Sequence, residues 1–122
     1  MNDYQLQIVS FYQAKKLKEL GFNWKVINYY EYDCENPENF NKKVRYGQYG
    51  NFNKLLGAYS APTIALALKW FRDVKKVICN VQFGMSTETY FGAFWFNDNP
   101  LITDDFDTYE AAESALLDEL LN

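Results

Sequence analysis

The chain has 122 residues, of which 48% are hydrophobic and 23% charged, and its formal net charge is −4. This is enough chain for one domain with a sizeable core, and it is too apolar for a wholly disordered protein. The sequence contains no histidine. That absence excludes Ser-His and Cys-His nucleophilic sites, histidine metal ligands and histidine acid–base catalysis.

The N-terminus and the cysteines indicate a reduced protein of the cytoplasm. The first residues have no basic stretch before an apolar block, so no secretory signal is expected. The longest apolar run, residues 64–68, is far shorter than the roughly 18 residues of a membrane span. Cys34 and Cys79 lack CxxC spacing, and we expect both to be reduced, with Cys79 as a small core residue.

The charges are distributed unevenly along the chain. All 12 Lys and Arg residues lie between Lys15 and Lys76, so residues 1–76 have a net charge of +5 and the last 46 residues −9. Such polarity is typical of a protein with a basic and an acidic face for different partners. It is also explained by one domain in which lysines of the first helix, such as Lys18, face acids of the last helix.

The first predicted elements are a helix and a strand. Ser10 is a typical N-cap, and Gly21 is placed for the left-handed residue that ends a helix. Between them lies one apolar stripe, formed by Phe11, Ala14, Leu17 and Leu20. Residues 24–30 are dense in aromatic and β-branched side chains, which favours a strand.

Residues 31–56 are predicted to form a long mobile loop. Asn36-Pro37 and the asparagines at 39 and 41 interrupt any periodicity, and glycines follow at 47 and 50. Loops of this length are uncommon in compact domains and usually have a function.

A second helix and two strands are predicted next. Ser60 and Pro62 indicate a helix start, and the helix over residues 61–74 is apolar around most of its circumference, so we expect it to be largely buried. Residues 77–83 alternate as a half-buried strand does, and residues 87–96 form a second strand.

The C-terminal part is predicted as a turn and a helix. Residues 97–100 are a turn cluster. Asp107 and Glu110 have capping-box spacing at the start of a last helix. Its apolar stripe is Tyr109, Ala112, Leu116 and Leu120. The element order α-β-loop-α-β-β-α predicts one α+β domain over residues 1–122, with a small antiparallel sheet of about three strands packed by three helices.

Three segments resemble a known group of proteins. They are the first helix with Leu20-Gly21-Phe22, the SAPTIALALKWFR run at residues 60–72 and the FDTYEAAESALLDELL run at residues 106–121. They are similar, in this order, to short uncharacterised proteins of bacteriophages and related mobile elements of gut bacteria. Phe71 replaces the usual leucine of that group. The resemblance implies fold and provenance, and it implies no activity and no site residues.

The acidic residues do not predict a metal or catalytic site. Asp104, Asp105, Asp107 and Glu110 lack the glycine and the spacing of a calcium loop. Capping and the dipole of the last helix explain all four. No phosphate-binding glycine loop is present either. We therefore expect no metal, no cofactor and no catalytic residues, and a protein that is not an enzyme.

Residues 39–54 are a candidate nucleic-acid interface. Cations alternate there with aromatic residues, as in proteins that bind single strands by neutralising phosphates and stacking on bases. The candidate residues are Lys42, Lys43, Arg45, Tyr46, Tyr49, Phe52 and Lys54. The alternative is a solvated loop whose aromatic rings pack back on the core.

The strand at residues 87–96 is the other candidate surface, because it has bulky residues on both faces. A sheet with helices on one side exposes either Tyr90, Phe94 and Phe96 or the opposite pair, Phe91 and Trp95. Exposed aromatic patches are typical of protein contacts, and Tyr90, Phe94 and Phe96 are the predicted binding residues. A sheet covered on both faces is the alternative.

The sequence therefore favours a non-enzymatic phage or mobile-element accessory protein of the cytoplasm. It is expected to act through protein–protein contacts, with itself as one possible partner in a homodimer, and without a membrane. Single-stranded nucleic-acid binding through residues 39–54 is the alternative function.

Overall fold

The computed structural model describes residues 7–36, 38–96 and 98–122, without the side chains of Asn41, Lys42 and Phe96. The elements in chain order are α1 (Phe11–Glu19), β1 (Val26–Tyr32), β2 (Phe40–Gly50), a short 3-10 helix (Phe52–Lys54), β3 (Ala58–Ser60), α2 (Ile64–Asp73), β4 (Ile78–Gly84), β5 (Thr89–Phe96), β6 (Asn99–Ile102) and α3 (Tyr109–Leu121). The strands form two antiparallel three-stranded sheets, in the orders β2-β1-β3 and β4-β5-β6. The predicted α+β class is confirmed, with two small sheets in place of one.

The backbone forms two compact units. Residues 8–63 hold α1 and the first sheet, and we call them the N-terminal unit. Residue 7 and residues 64–122 hold α2, the second sheet and α3, and we call them the C-terminal unit. The charge asymmetry follows this division, because residues 8–63 contain eight Lys and Arg against five acids, and residues 64–122 contain four against ten. That both units belong to a single domain stays a prediction.

The start and end of α1 agree with the sequence pattern. The hydroxyl of Ser10 accepts a hydrogen bond from the backbone N–H of Gln13 at 3.2 Å, and the Gln13 side chain accepts one from Ser10 at 2.8 Å. This reciprocal pair satisfies two N–H groups at the helix start. At the other end, Gly21 has a φ of +95°, which a residue with a side chain rarely adopts. Both predicted boundaries of the helix are confirmed.

Residues 40–50 form strand β2, so the predicted loop over residues 31–56 is wrong for this segment. The strand pairs with β1 along its length. The pairing has two register shifts, and each of them sets three residues of β2 against one residue of β1. It is an edge strand, and its described side chains are exposed or half-buried. No buried face imposes alternating polarity on such a strand, and its sequence therefore shows no period of two.

The start of α2 is also displaced from its prediction. Ser60 is not a helix cap, because it is the last residue of β3 and pairs with Tyr29 of β1. Its N–H donates to the Asn53 side chain at 2.7 Å, and the helix begins only at Ile64. Pairing with β1 and this hydrogen bond are made by the tertiary structure. They outweigh the local signal of a serine two residues before a proline.

The second sheet has one strand more than the sequence predicts. β4 and β5 are the predicted hairpin strands, but Asn99 and Pro100 of the expected turn belong to β6. Asn97, within the same predicted turn, lies outside the described residues. β6 is an edge strand in which Pro100 pairs with Trp95. Proline is tolerated at an edge because its missing N–H interrupts no ladder on that side.

Helix α3 lies directly on one face of β5. A Cβ added at Gly92 would lie 2.6 Å from the Cβ of Leu116, so only glycine permits this approach. Leu116 and its neighbour Leu117 are fully buried. Tyr90 and Phe94 share the face of Gly92, because alternate residues of a strand point to the same side. Three of the four residues of the predicted apolar stripe of α3, Ala112, Leu116 and Leu120, are therefore buried, and the fourth, Tyr109, is 45% exposed.

The cap of α3 is Thr108, and the predicted capping box of Asp107 and Glu110 is wrong by one residue. The Thr108 hydroxyl accepts from the N–H of Ala111 at 3.1 Å. Hydroxyl and carboxylate side chains are both good N-caps. The backbone decides between them, because Thr108 is the last extended residue before the helix, with φ −123° and ψ 151°.

Replacing Thr108 with Ala removes this acceptor and should lower the free energy of unfolding by about 0.5–2 kcal/mol. Asp107→Ala, the matched control, should change it by less than about 0.5 kcal/mol, as exposed substitutions generally do. Urea denaturation of the two variants and the parent protein measures both effects. A larger loss in Asp107→Ala than in Thr108→Ala would contradict the assignment of the cap.

Candidate functional site

Two of the three predicted binding residues of β5, Tyr90 and Phe94, do not form an exposed surface. Phe94 is only 4% exposed, and the half-buried ring of Tyr90 contacts Phe83 at 5.0 Å and Tyr109 at 6.1 Å between centroids. The side chain of Phe96 lies outside the described part of the chain. Because α3 covers this face of the second sheet, the expectation that Phe94 is exposed is wrong.

The opposite face of the second sheet is the accessible one. By register Ile78 lies beside Trp95, and Gln82 lies beside Phe91, so these side chains share a face. Ile78 is 65% exposed and Ile102 69%, while both aromatic rings are half-buried. We call Ile78, Phe91, Trp95 and Ile102 the outer apolar face. The sequence alone did not decide which face of β5 is exposed. The packing of α3 on one face leaves the opposite face accessible.

The N-terminal unit exposes a second aromatic surface, on β2. Tyr46 is 81% exposed and Tyr49 69%, and Lys43 and Arg45 are exposed on the same strand. By register Arg45 lies beside Tyr29 and Tyr46 beside Asn28, so Arg45 and Tyr46 point to opposite faces of the strand. Arg45 also lies 3.4 Å from the Glu31 carboxylate across the strands. We call Lys43, Arg45, Tyr46 and Tyr49 the basic-aromatic strand. These tyrosines do not pack back on the core, as the solvated-loop alternative requires.

The remaining predicted nucleic-acid residues are placed differently. The ring of Phe52 stacks on Tyr29 at 4.6 Å and is half-buried, so it supports the sheet and does not point outward. Lys54 is exposed at the end of the 3-10 helix. The Lys42 side chain lies outside the described residues. Five of the seven predicted residues thus lie on β2, and the side chains of four of them are described.

The chain after β2 is held by one asparagine. The amide of Asn53 donates to the carbonyl of Phe22 at 2.8 Å, and its oxygen accepts from the N–H of Ser60. The backbone of Asn53 is itself capped by Asn51 at 3.0 Å. These bonds join the 3-10 helix to β3 and to the end of α1. They fix the exit of β2, so the basic-aromatic strand has defined geometry at that end.

Lys18 is bound inside the N-terminal unit and does not require an acidic partner on the last helix. Its ammonium donates to the carbonyls of Leu55 and Ala58, each at 3.0 Å, and to the Tyr32 hydroxyl at 3.3 Å. It also lies 5.3 Å and 5.5 Å from the ring centroids of Tyr32 and Tyr59. An ammonium has three N–H donors, and all three find acceptors here.

A cleft of about 300 Å³ opens beside the start of β2, and no sequence pattern indicates it. It is lined by Phe11, Tyr12, Lys15, Glu38 and Phe40. Phe11 and Phe40 stack at 4.0 Å, and the ring of Tyr12 lies at 73° to that of Phe40. The five residues come from two distant segments of the chain. Only the packing of α1 against the end of β2 brings them together.

The acids of the C-terminal unit do not form a metal site within the described residues. No group of three or more His, Cys, Asp and Glu side chains there is close enough to hold a metal ion. The same part of the chain contains no helix long and apolar enough to cross a membrane. Both cysteines described, exposed Cys34 and buried Cys79, are free thiols.

Glu113 is the one glutamate of α3 that is buried, at 8% exposure. Burial raises the pKa of its carboxyl, and the Tyr109 phenol, which donates a hydrogen bond to it, and the nearby Arg72 oppose that change. Burial and then the Glu113 charge raise the pKa of Tyr109 in turn. The folded protein therefore binds a proton at Glu113 more tightly than the unfolded chain does.

The Glu113→Gln variant should show the consequence of this raised pKa. Glu113 favours folding most below its ordinary pKa of 4.5, and this contribution is lost as pH rises through the raised pKa of the folded state. Glutamine does not titrate, so it does not lose stability in this way. The free energy of unfolding of the variant, relative to that of the parent protein, should therefore increase as pH rises above 4.5. Urea denaturation over a pH series measures this, with Glu119→Gln, at an exposed glutamate of the same helix, as the control. Parallel pH profiles of Glu113→Gln and the parent protein would contradict it.

Comparison with known proteins gave no relative from which a function can be transferred. No family model, no curated protein and no solved structure matches the chain. The resemblance to short phage proteins therefore stays a prediction. The function has to be argued from the surfaces described above, which are the basic-aromatic strand, the cleft beside it and the outer apolar face.

Proposed function

We propose that the protein binds single-stranded nucleic acid through the basic-aromatic strand. The observation that carries this proposal is the exposure of Tyr46 and Tyr49, at 81% and 69%, on a strand that is paired along its length. The ordered backbone of β2 already holds both rings in solvent. The rings can therefore stack on a ligand with little further loss of conformational entropy. Unstacked bases bind such rings by stacking, with little dependence on sequence.

The charges of the N-terminal unit support the same proposal. Lys43 and Arg45 lie on the same strand as the tyrosines, and basic residues exceed acidic ones in residues 8–63. Most of the acids that oppose a polyanion belong to the other compact unit. Cations near stacked bases neutralise phosphates and release counterions, which supplies much of the affinity for nucleic acid.

Single strands suit this surface better than duplex DNA. Bases in a duplex are stacked on one another, and their faces cannot reach Tyr46 or Tyr49. A helix that reads a duplex in the major groove needs an exposed polar face. The polar side of α2 is narrow, and its Lys69 is paired with Asp73 in the same helix.

The geometry of β2 argues against the addition of a partner strand at its free edge. The two register shifts of β2 are irregularities of the kind that bend a strand and increase its twist. Lysine and arginine on the strand add charge to the edge. Proteins use irregularities and cations of this kind to prevent edge-to-edge pairing. The side chains of β2, more than its backbone edge, are therefore the binding groups.

Removing the tyrosine rings should weaken binding to a single-stranded oligonucleotide. Tyr46→Ala and Tyr49→Ala should each cost about 1–3 kcal/mol of binding free energy, the usual contribution of one stacked base. Fluorescence anisotropy with a labelled thymine oligonucleotide measures the Kd. Phe83→Ala, which removes a 47% exposed ring of the C-terminal unit, is the matched control and should bind as the parent protein does. Unchanged binding in both tyrosine variants would contradict the proposal.

The salt dependence of the same binding should report on the cations. The slope of log K against log salt concentration is about −0.7 for each phosphate contacted on a single strand. The double variant Lys43→Gln/Arg45→Gln should therefore make the slope less negative by up to about 1.4, which corresponds to two phosphate contacts. Lys69→Gln/Arg72→Gln removes the same charge from α2 and should leave the slope unchanged. Equal flattening in both double variants would indicate a general charge effect and contradict a specific interface.

Contact with a protein partner is the second candidate function, and the outer apolar face favours it. Ile78 and Ile102 are large, exposed and close to two aromatic rings, which is a composition typical of protein contacts. One form of such contact is a homodimer. Because the C-terminal unit is acidic, salt should strengthen self-association by screening the repulsion between copies.

Sedimentation analysis over a range of protein and salt concentrations tests the homodimer. A dimer that uses this face should be lost in Ile78→Glu and kept in Ile27→Glu, a control that places the same charge at a 53% exposed isoleucine of the N-terminal unit. A monomer at all concentrations would contradict self-association. Either function agrees with a non-enzymatic accessory protein of phage or mobile-element origin, which we propose as its setting.

A further inference from the structure

We infer that the cleft lined by Phe11, Tyr12, Lys15, Glu38 and Phe40 binds one unstacked guanine of the nucleic-acid strand, with its Watson–Crick edge on the Glu38 carboxylate. This inference rests on the proposed function and adds a base preference to it. Bases that are splayed out of a single strand are commonly stacked on aromatic rings and recognised by hydrogen bonds at their edges.

The shape of the cleft suits a flat ring. The rings of Phe40 and Tyr12 meet at 73° with centroids 6.2 Å apart, and they form an aromatic corner. Phe11 backs Phe40 at 4.0 Å and is itself 6% exposed, so no base fits between these two rings. A base can stack on one of these two rings and meet the other ring edge to face. Offset stacking and edge-to-face contact are the two favourable arrangements of aromatic pairs. The volume of about 300 Å³ is at the lower end for ligand pockets.

The charged groups of the cleft determine which base fits best. No ion pair within the described residues involves Glu38 or Lys15, so both are available to a ligand. An ionised carboxylate only accepts hydrogen bonds, through two oxygens. Guanine presents two adjacent donors on its Watson–Crick edge, N1–H and the N2 amino group, and can bind both oxygens. Thymine and uracil present one N–H between two carbonyls, which a carboxylate repels.

Lys15 complements this arrangement from α1. Guanine has acceptors at O6 and N7, and lysine is a common donor to them. Its ammonium can also neutralise the phosphate of the bound nucleotide. Adenine has neither the second adjacent donor nor the O6 acceptor, and cytosine has one donor group beside acceptors. Guanine is thus the base that uses both charged groups.

The cleft lies on the path of the proposed strand. Phe40 is the first residue of β2 and pairs with Tyr32, while Tyr46 pairs with Asn28, four residues away on β1 or about 13 Å. A nucleic acid that stacks on Tyr46 and Tyr49 and follows β2 toward its start arrives at the cleft. Single-strand binding modules commonly contact at least about four nucleotides, which is compatible with this reach.

Anisotropy titrations with a thymine oligonucleotide, and with the same oligonucleotide carrying one central guanine, adenine or cytosine, test the inference. The guanine oligonucleotide should bind about five- to 100-fold more tightly than the thymine one, the effect of a good bidentate base contact. Glu38→Gln should remove most of this preference. Glu35→Gln, which removes the same charge from a nearby exposed residue that does not line the cleft, should keep it.

The outcomes separate this inference from the proposed function. If all four oligonucleotides bind alike and Tyr46→Ala still weakens them, the guanine site is wrong and the strand interface stands. A guanine preference that survives in Glu38→Gln overturns the inference as well. If no oligonucleotide binds, both fail together. Tight binding of guanosine monophosphate, abolished in Glu38→Gln without any oligonucleotide binding, would assign the cleft to a free nucleotide and overturn the strand-bound form.

Discussion

The N-terminal unit depends on one cation that is satisfied by the backbone. The Lys18 ammonium reaches from α1 to the carbonyls of Leu55 and Ala58 and lies against the stacked rings of Tyr32 and Tyr59. These acceptors follow the 3-10 helix and begin β3, so one side chain joins the helix, two strands and the connection between them. A half-buried ammonium without such acceptors would be costly, and the geometry of these segments is therefore mutually dependent.

This arrangement explains how β2 stays ordered while its side chains are exposed. The strand buries little of its own surface, and its stability comes from hydrogen bonds to β1 and from the fixed turn after it. The stack of Phe52 on Tyr29 closes that turn. Two large exposed rings on such a strand contribute little to folding. Their placement supports the binding function that we propose.

In the C-terminal unit one glycine has the comparable role. Because Gly92 lets α3 approach the backbone of β5, the helix covers the face of Phe94 and leaves the face of Trp95 accessible. A side chain at this position would separate helix and sheet, and packed interiors do not absorb such a change easily. The same contact orients α3 so that Glu113 is buried beside Tyr109, and this explains its raised pKa.

The sequence by itself determined the α+β class, the boundaries of α1 and the buried stripe of α3, because capping residues and helical periodicity are local signals. It also identified Tyr46 and Tyr49 as candidate binding residues from their neighbouring cations. Strand β2, the residue that caps α3 and the exposed face of β5 were decided only by the tertiary structure. Each of these depends on contacts between segments distant in sequence, such as the pairing of β2 with β1 and the contact of Gly92 with Leu116. A strand without a buried face has no alternating pattern, and a cleft formed by Phe11 and Phe40 exists only once helix and strand have met.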